Sequence, residues 1–164
     1  MKILVLSDSH SGLHFMRLAI RAVKPDAVIH LGDYYDDAQA MQEEFPHLQF
    51  HIVPGNCDRY RVHTIVPQIL SYRVCGVDLY MTHGHLHNVK MGLYSLLKDA
   101  VASGAQAVLY GHTHIAHCEM EGELWIMNPG SCGSSGGSVG LIETNENKIT
   151  ACRILRQADL EALL

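Results

Sequence analysis

Five short apolar runs, rich in β-branched residues, recur along the chain, and each one ends in a polar loop. Runs of this length and composition are typical of buried β-strands. Stretches with one apolar face, the pattern of helices, separate the earlier runs. Strands that alternate with helices at this spacing form βαβ units, so the pattern predicts an α/β fold with a largely parallel sheet. The predicted strands cover residues 2–6, 27–31, 50–53, 77–81 and 107–110.

Helices are predicted between these strands, over residues 13–23, 37–44 and 89–102. In the first of them, Met16, Ile20 and Val23 lie on one face at helical spacing. The third shows a similar one-sided pattern, and Gly104 is placed to end it, since glycine readily adopts the left-handed conformation that follows many helices.

The pattern changes in the last third of the chain. Short strands are predicted there, joined by hairpin turns at residues 121–122 and 144–147. We expect these strands to form a second sheet that packs on the first, with helices outside. They cover residues 117–120, 123–127, 138–143 and 148–155.

The C-terminal residues 157–164 are predicted to form a short helix. Either Leu160, Leu163 and Leu164 pack against the domain, or the segment contacts a second copy of the chain in a homodimer. The chain contains no internal repeat or long linker, so residues 1–164 are expected to form one domain. A chain of this length buries a hydrophobic core without needing disulfides.

Composition narrows the classes of function. The net charge is -5 and lysine and arginine do not cluster, whereas a nucleic-acid-binding surface needs a basic stripe, so nucleic acid is not an expected partner. The five cysteines form no C-x-x-C pair, which argues against a thiolate zinc site and a disulfide framework. Twelve histidines in 164 residues indicate metal or proton chemistry.

The sequence also bears on location. No stretch approaches the roughly 18 consecutive apolar residues of a membrane span, so no membrane association is expected. The N-terminus reaches Ser7 and Asp8 too soon for a signal peptide. We therefore expect a cytoplasmic protein.

Each of the five strands predicted first, at residues 2–6, 27–31, 50–53, 77–81 and 107–110, is followed by side chains that can bind metal ions. In an open α/β sheet, ligands bind at the carboxyl ends of the strands, so these side chains are expected to meet at one edge. Alternate residues of the D-x-H and H-x-H segments are expected to point the same way, as they do along a strand. Asp33 carries two carboxylate oxygens and can bridge two cations. The candidate ligands are Asp8, His10, Asp33, Asn56, His83, His112 and His114.

The motifs D-x-H, G-D, G-N, H-G-H and G-H-x-H occur in this order along the chain. This ordered set resembles the calcineurin-like metallophosphoesterases, and above all their small single-domain bacterial and archaeal phosphodiesterase group, which is similar also to the retromer subunit of vacuolar sorting. The resemblance runs from Met1 to about Leu155. It implies a four-layer αββα sandwich, in which two mixed β-sheets are flanked by helices.

The resemblance also implies a centre of two divalent transition-metal ions. Manganese is the expected metal, with nickel, iron or zinc as alternatives, because oxygen and nitrogen donors without thiolate suit these ions better than calcium. One ion is then held by Asp8, His10 and His114. The other is held by Asn56, His83 and His112, and Asp33 bridges the two.

The implied activity is hydrolysis of small phosphodiesters, in which a hydroxide that bridges the metals attacks phosphorus and Asn56 helps to hold the developing charge. Cys57 departs from the wider superfamily, since many members have there a histidine that is thought to protonate the leaving group. His85 is our candidate for replacing that acid, with Asp58 behind it. The glycine-rich residues 128–137 are expected to border the substrate, because such loops present N–H groups to anions.

Two other functions stay open at this point. One is a phosphomonoesterase. The other is a non-catalytic metal-binding scaffold of the retromer-subunit type, which is thought to carry an incomplete set of metal ligands. All seven ligand positions are filled here, which favours the enzyme. The expected partner is then a small phosphoester substrate.

Overall fold

Two five-stranded mixed β-sheets pack face to face in the computed structural model, which describes residues 1–133 and 137–164. The first sheet has the order β10-β9-β1-β2-β3 and the second the order β4-β5-β6-β8-β7. The strands are β1 (Lys2–Leu6), β2 (Ala27–His30), β3 (Gln49–Ile52), β4 (Ile69–Val74), β5 (Val77–Thr82), β6 (Ala107–Leu109), β7 (His117–Glu121), β8 (Leu124–Asn128), β9 (Ser138–Asn145) and β10 (Lys148–Arg156).

Helices cover the outer faces of both sheets, which gives four layers. Helices α1, α2 and α5 pack on the first sheet, and α4 packs on the second. The helices are α1 (Leu13–Val23), α2 (Tyr35–Glu44), α3 (Tyr60–Ile65), α4 (Tyr94–Ala102) and α5 (Gln157–Glu161). The predicted αββα sandwich with two mixed sheets is therefore confirmed.

Strand β1 shows how the layers follow from the sequence. Successive side chains of a strand point to opposite faces, so alternate residues enter different cores. Ile3 and Val5 lie in the core between the sheets, whereas Leu4 and Leu6 pack against α1. All four side chains are fully buried. Burial of each such side chain contributes about 1.5–3 kcal/mol, so both cores stabilise the central strand.

The pairing of the last two strands differs from the prediction. The prediction that the C-terminal strands form the second sheet is wrong for β9 and β10. Strand β9 pairs antiparallel with β1, with Leu4 opposite Leu141, and β10 pairs with β9. The first sheet is therefore mixed, and the predicted largely parallel arrangement holds only for β1, β2 and β3 within it.

Three local elements also differ. Helix α4 begins at Tyr94 rather than residue 89, because Asn88 and Gly92 have positive φ angles of 52° and 144° that a helix cannot contain. Strand β4 and helix α3 were not predicted. Strand β4 lies at the edge of its sheet and is mostly exposed, so it lacks the apolar run of a buried strand.

The C-terminal segment forms the predicted short helix. Of the two alternatives left open for these leucines, packing against the domain holds for Leu160, which is fully buried against α1, but not for Leu163 and Leu164, which are 52% and 75% exposed. A homodimer contact stays a prediction. No helix in the described parts of the chain is both long and apolar enough to cross a membrane.

Candidate metal centre

The predicted ligands come together at one end of the sandwich, where strand ends of both sheets meet. The first sheet supplies Asp8 after β1, and the second supplies His83 after β5 and His114 beyond β6. Asp8 Oδ1 lies 3.0 Å from His114 Nε2 and 3.9 Å from His83 Nε2. The centre is therefore built across the two sheets rather than along the edge of one sheet.

A first group of donors consists of Asp8, His10, Asp33 and His114, whose ligand atoms all lie within 4.8 Å of one another. His10 Nε2 and His114 Nε2 are 3.4 Å apart. Asp8 Oδ1 is buried and has no hydrogen-bond partner among the described residues. A buried carboxylate oxygen without a partner is costly, and a bound cation removes that cost. The donor set therefore fits a divalent metal ion.

A second group of donors surrounds His83. The Nδ1 atom of His83 lies 2.7 Å from the Leu31 carbonyl oxygen and donates to it, which leaves a lone pair on Nε2. That atom faces Asn56 Oδ1 at 3.1 Å and Asp33 Oδ1 at 3.5 Å. Three electron-pair donors this close together call for a cation between them. The centroid of the His112 ring is 5.1 Å from that of the His83 ring, so His112 lies beside this second group of donors.

Asp33 belongs to both groups of donors. Burial raises the pKa of Asp33, but the nearby His83 and the N–H of Cys57, which donates to Oδ1 at 2.8 Å, outweigh it and lower the pKa below its ordinary value. The carboxyl is therefore ionised at neutral pH. An ionised carboxylate between two groups of donors is suited to bridging two cations.

Asp58 holds the loops that carry two of the ligands. Its carboxylate accepts backbone N–H bonds from Gly55 at 2.6 Å, Tyr35 at 2.7 Å and Asp33 at 3.1 Å. These bonds join the segment after β2 to the segment after β3. They use both oxygens of Asp58 as acceptors and give it a positioning role, while its predicted part in proton donation stays a prediction.

The backbone at the ligands is unusual. Strand alternation does not bring the paired ligands together, because both members of each pair have left-handed backbone rather than extended backbone. Such conformations cost non-glycine residues about 1–3 kcal/mol each and cluster at functional sites. The φ angles are 53° at Asp8, 43° at His10, 57° at Asp33, 68° at His112 and 60° at His114.

His85 lies beside the second group, with its ring 5.4 Å from His83 and 6.2 Å from His112. Burial, followed by repulsion from these two histidines, lowers the pKa of His85 to about 4. The imidazole is therefore neutral at pH 7. His63 of α3 lies at 6.3 Å from His85, ring to ring, and was not predicted at the site because α3 itself was not predicted.

Cys57 is exposed next to Asn56. Partial burial, a hydrogen bond to Asp33 and the neighbouring carboxylates raise the pKa of the Cys57 thiol to about 11. The thiol is therefore protonated at neutral pH and is a poor nucleophile.

Residues of the glycine-rich segment 128–137 donate hydrogen bonds to the backbone of the loop that carries Asp8. Ser131 Oγ donates to the Asp8 carbonyl oxygen at 2.8 Å, and the Cys132 N–H donates to the Ser7 carbonyl oxygen at 3.1 Å. Residues 134–136 lie outside the described residues, so the predicted contact of the whole segment with substrate stays a prediction.

His30 supports the second strand end from inside the core. It is fully buried, and its Nδ1 accepts the Gly32 N–H at 3.2 Å. Its Nε2 therefore carries the proton and donates to Ser9 Oγ at 3.2 Å, and Ser9 in turn donates to Asp37 at 2.7 Å. Burial, followed by the charge of His83, lowers the pKa of His30 to about 3.

A stability prediction follows from His30. His30 takes up a second ring proton near pH 6.5 in the unfolded chain but only near pH 3 in the folded chain. The folded state therefore loses stability relative to the unfolded state as the pH falls between these values. At pH 5 the loss relative to pH 7 is about 2 kcal/mol from this group alone. Urea unfolding at pH 7 and pH 5, with chelator present, should show a smaller decline for His30→Asn. An equal decline in both proteins would contradict the prediction.

Comparison with known proteins agrees with this geometry. The calcineurin-like phosphoesterase superfamily domain matches residues 1–147. YsnB of Bacillus subtilis, named as a probable metallophosphoesterase, is 35% identical in an alignment 136 positions long that covers 80% of this chain and 75% of YsnB. A phosphodiesterase of Methanocaldococcus jannaschii is 29% identical in an alignment 168 positions long that covers 90% of this chain and 96% of the relative.

Solved structures share the fold. A Streptococcus pneumoniae protein described as a predicted phosphoesterase has a TM-score of 0.73 at 24% identity, with 95% of this chain and 97% of that chain covered. Vps29 from Entamoeba histolytica, solved with zinc, has a TM-score of 0.70 at 17% identity, with 95% and 98% covered. With the match of the domain over residues 1–147 and the relative at 35% identity, the chain belongs to the calcineurin-like phosphoesterase superfamily.

Proposed function

We propose that this protein is a two-metal phosphodiesterase that hydrolyses small phosphodiesters. The observation that carries the proposal is the first group of donors, in which Asp8, His10, Asp33 and His114 converge within 4.8 Å, and in which the buried Asp8 Oδ1 accepts no hydrogen bond from the described residues. The phosphodiesterase of Methanocaldococcus jannaschii supports the choice of diesters.

In this proposal Asp8, His10, Asp33 and His114 hold one divalent cation, and Asp33, Asn56, His83 and His112 hold the other. Manganese is the proposed metal, with nickel, iron and zinc as alternatives, because the donors are oxygen and imidazole nitrogen. When bound, two such cations neutralise phosphoryl oxygens and make a water molecule nucleophilic at neutral pH.

The chain itself supplies positioning and hydrogen bonds. The Leu31 carbonyl fixes the tautomer of His83, and Asp58 fixes the backbone at Asp33. Among the described residues, the amide nitrogen of Asn56 makes a weak contact with Cys57 Sγ at 3.5 Å, and it would donate to a phosphoryl oxygen.

Proton donation to the leaving group is the weak point of the site. The Cys57 thiol, with its raised pKa, is a poor acid, and His85 is neutral at pH 7. A missing general acid costs about 10²–10⁴-fold in rate, mainly for leaving groups that need a proton. Activated aryl diesters should therefore be much better substrates than alkyl monoesters.

The test begins with protein stripped by chelator and then reloaded separately with manganese, nickel, zinc or magnesium. Hydrolysis of bis(p-nitrophenyl) phosphate should vanish with the metal, return with a transition-metal ion, and exceed hydrolysis of p-nitrophenyl phosphate. Faster hydrolysis of the monoester would replace the proposal with a phosphomonoesterase. Folded protein that binds metal but hydrolyses neither ester would reject the enzyme and favour a metal-binding scaffold.

A further inference from the structure

A cleft of about 270 Å³ opens directly beside the first group of metal donors. One of its walls is His10, and Cys57 lines it next to Asn56. A phosphoryl group bound at this metal centre would therefore have the cleft within reach of one of its ester oxygens. None of the motifs that define the metal centre accounts for the other residues of the cleft.

Tyr34 forms an aromatic wall of this cleft. Its ring meets the ring of His10 edge to face, with centroids 5.0 Å apart, and 42% of its surface is exposed. Its backbone is left-handed, with φ of 70°, directly after Asp33. A tyrosine in this conformation is uncommon, and it places the partly exposed ring beside a metal ligand, where a planar group can stack on it.

Arg59 is the cation of the cleft. Its side chain is 84% exposed, and its only described ion pair, to Asp36, is loose at 3.9 Å. Arginine stacks on aromatic rings and donates hydrogen bonds to oxygen and nitrogen acceptors. Asp36 and Asp58 also line the cleft, so its lining carries two carboxylates beside one guanidinium, and selection there rests on stacking and hydrogen bonding rather than on charge. Val62 adds an apolar surface.

We propose that this cleft binds one organic substituent of the phosphoester, and that Tyr34 and Arg59 select a planar aromatic group such as a nucleoside over a small alkyl group. This inference rests on the phosphodiesterase function proposed above. Tyr34 stacks on the ring, and Arg59 donates to its polar edge. Stacking of a base on one aromatic side chain typically changes affinity by about tenfold or more.

The test is equilibrium binding to manganese-loaded protein, measured by titration calorimetry. Thymidine 5′-monophosphate should bind about tenfold more tightly than methyl phosphate. Tyr34→Asn should abolish the preference for thymidine, because asparagine tolerates the left-handed backbone but has no ring. Tyr34→Phe should keep it. Tyr72→Asn, at a tyrosine that is also 42% exposed but lies on β4, should leave the ratio unchanged.

Arg59→Met should weaken binding of thymidine 5′-monophosphate more than binding of methyl phosphate, because it removes the donor to the polar edge of the ring. The inference is overturned if wild-type protein binds the two phosphates equally or not at all, or if Tyr34→Asn keeps the preference for thymidine. If hydrolysis depends on metal but the preference for thymidine does not depend on Tyr34, the role of this cleft is rejected and the phosphodiesterase function is kept. A Tyr34-dependent preference without any hydrolysis would reject the phosphodiesterase function instead.

Discussion

Replacing Asp33 with asparagine is expected to lower kcat for bis(p-nitrophenyl) phosphate by about 10³-fold or more. Asparagine keeps the size of the side chain and an oxygen that accepts the Cys57 N–H, but it loses the charge and the second oxygen that would join two cations. Stabilisation by metal ions contributes several kcal/mol, and each 1.36 kcal/mol is tenfold in rate.

Metal content should be measured with the kinetics, by elemental analysis of the purified protein. The Asp33→Asn protein should bind less metal than the wild type. Asp78→Asn is a matched control, because Asp78 is a surface carboxylate paired with Arg73 on the second sheet, and its loss should leave both readings unchanged. Full activity in Asp33→Asn would show that Asp33 does not bridge the metals.

Gly55→Ala should disrupt the same centre through packing alone. A Cβ atom at position 55 would overlap the backbone N and carboxylate oxygen of Asp33 and lie 2.9 Å from its carboxyl carbon. Asp33 cannot move away freely, because Asp58 ties its N–H and that of Gly55 together. We expect a loss of metal affinity and activity of about 10–100-fold, together with about 1–3 kcal/mol of stability.

Gly122→Ala is the control for the Gly55 substitution. Gly122 lies between β7 and β8 and has a φ of 61°, and apart from its two chain neighbours no described residue has an atom within 4 Å of an added Cβ. Alanine there should lower the free energy of unfolding by about 1–2 kcal/mol, because of the left-handed backbone, and should leave metal affinity unchanged. Metal titration of both variants measures the loss of metal affinity, and thermal unfolding measures the loss of stability. Wild-type metal affinity in Gly55→Ala would contradict the close packing of residues 33 and 55.

Elements with strong local patterns were predicted well from the sequence. Strand β1 and helix α1 have the predicted limits, since the apolar run and the 3.6-residue period are properties of each segment by itself. Strand β4 and helix α3 were missed, since their residues are largely exposed and carry little apolar periodicity. The start of α4 was misplaced, because the turn at Gly92 interrupts an apolar pattern that continues through it.

The sequence by itself determined the ligand types. A carboxylate, amide or imidazole side chain follows each of the five strands predicted first, whichever strands these pair with. Tertiary structure alone decided that β9 pairs with β1, that Asp8 meets His114 across two sheets, and that Asp58 accepts three backbone N–H bonds. These contacts join residues distant in sequence, and their formation depends on hydrogen bonds and packing between segments. Local periodicity reports which face of a segment is apolar, but not which other segment will cover it.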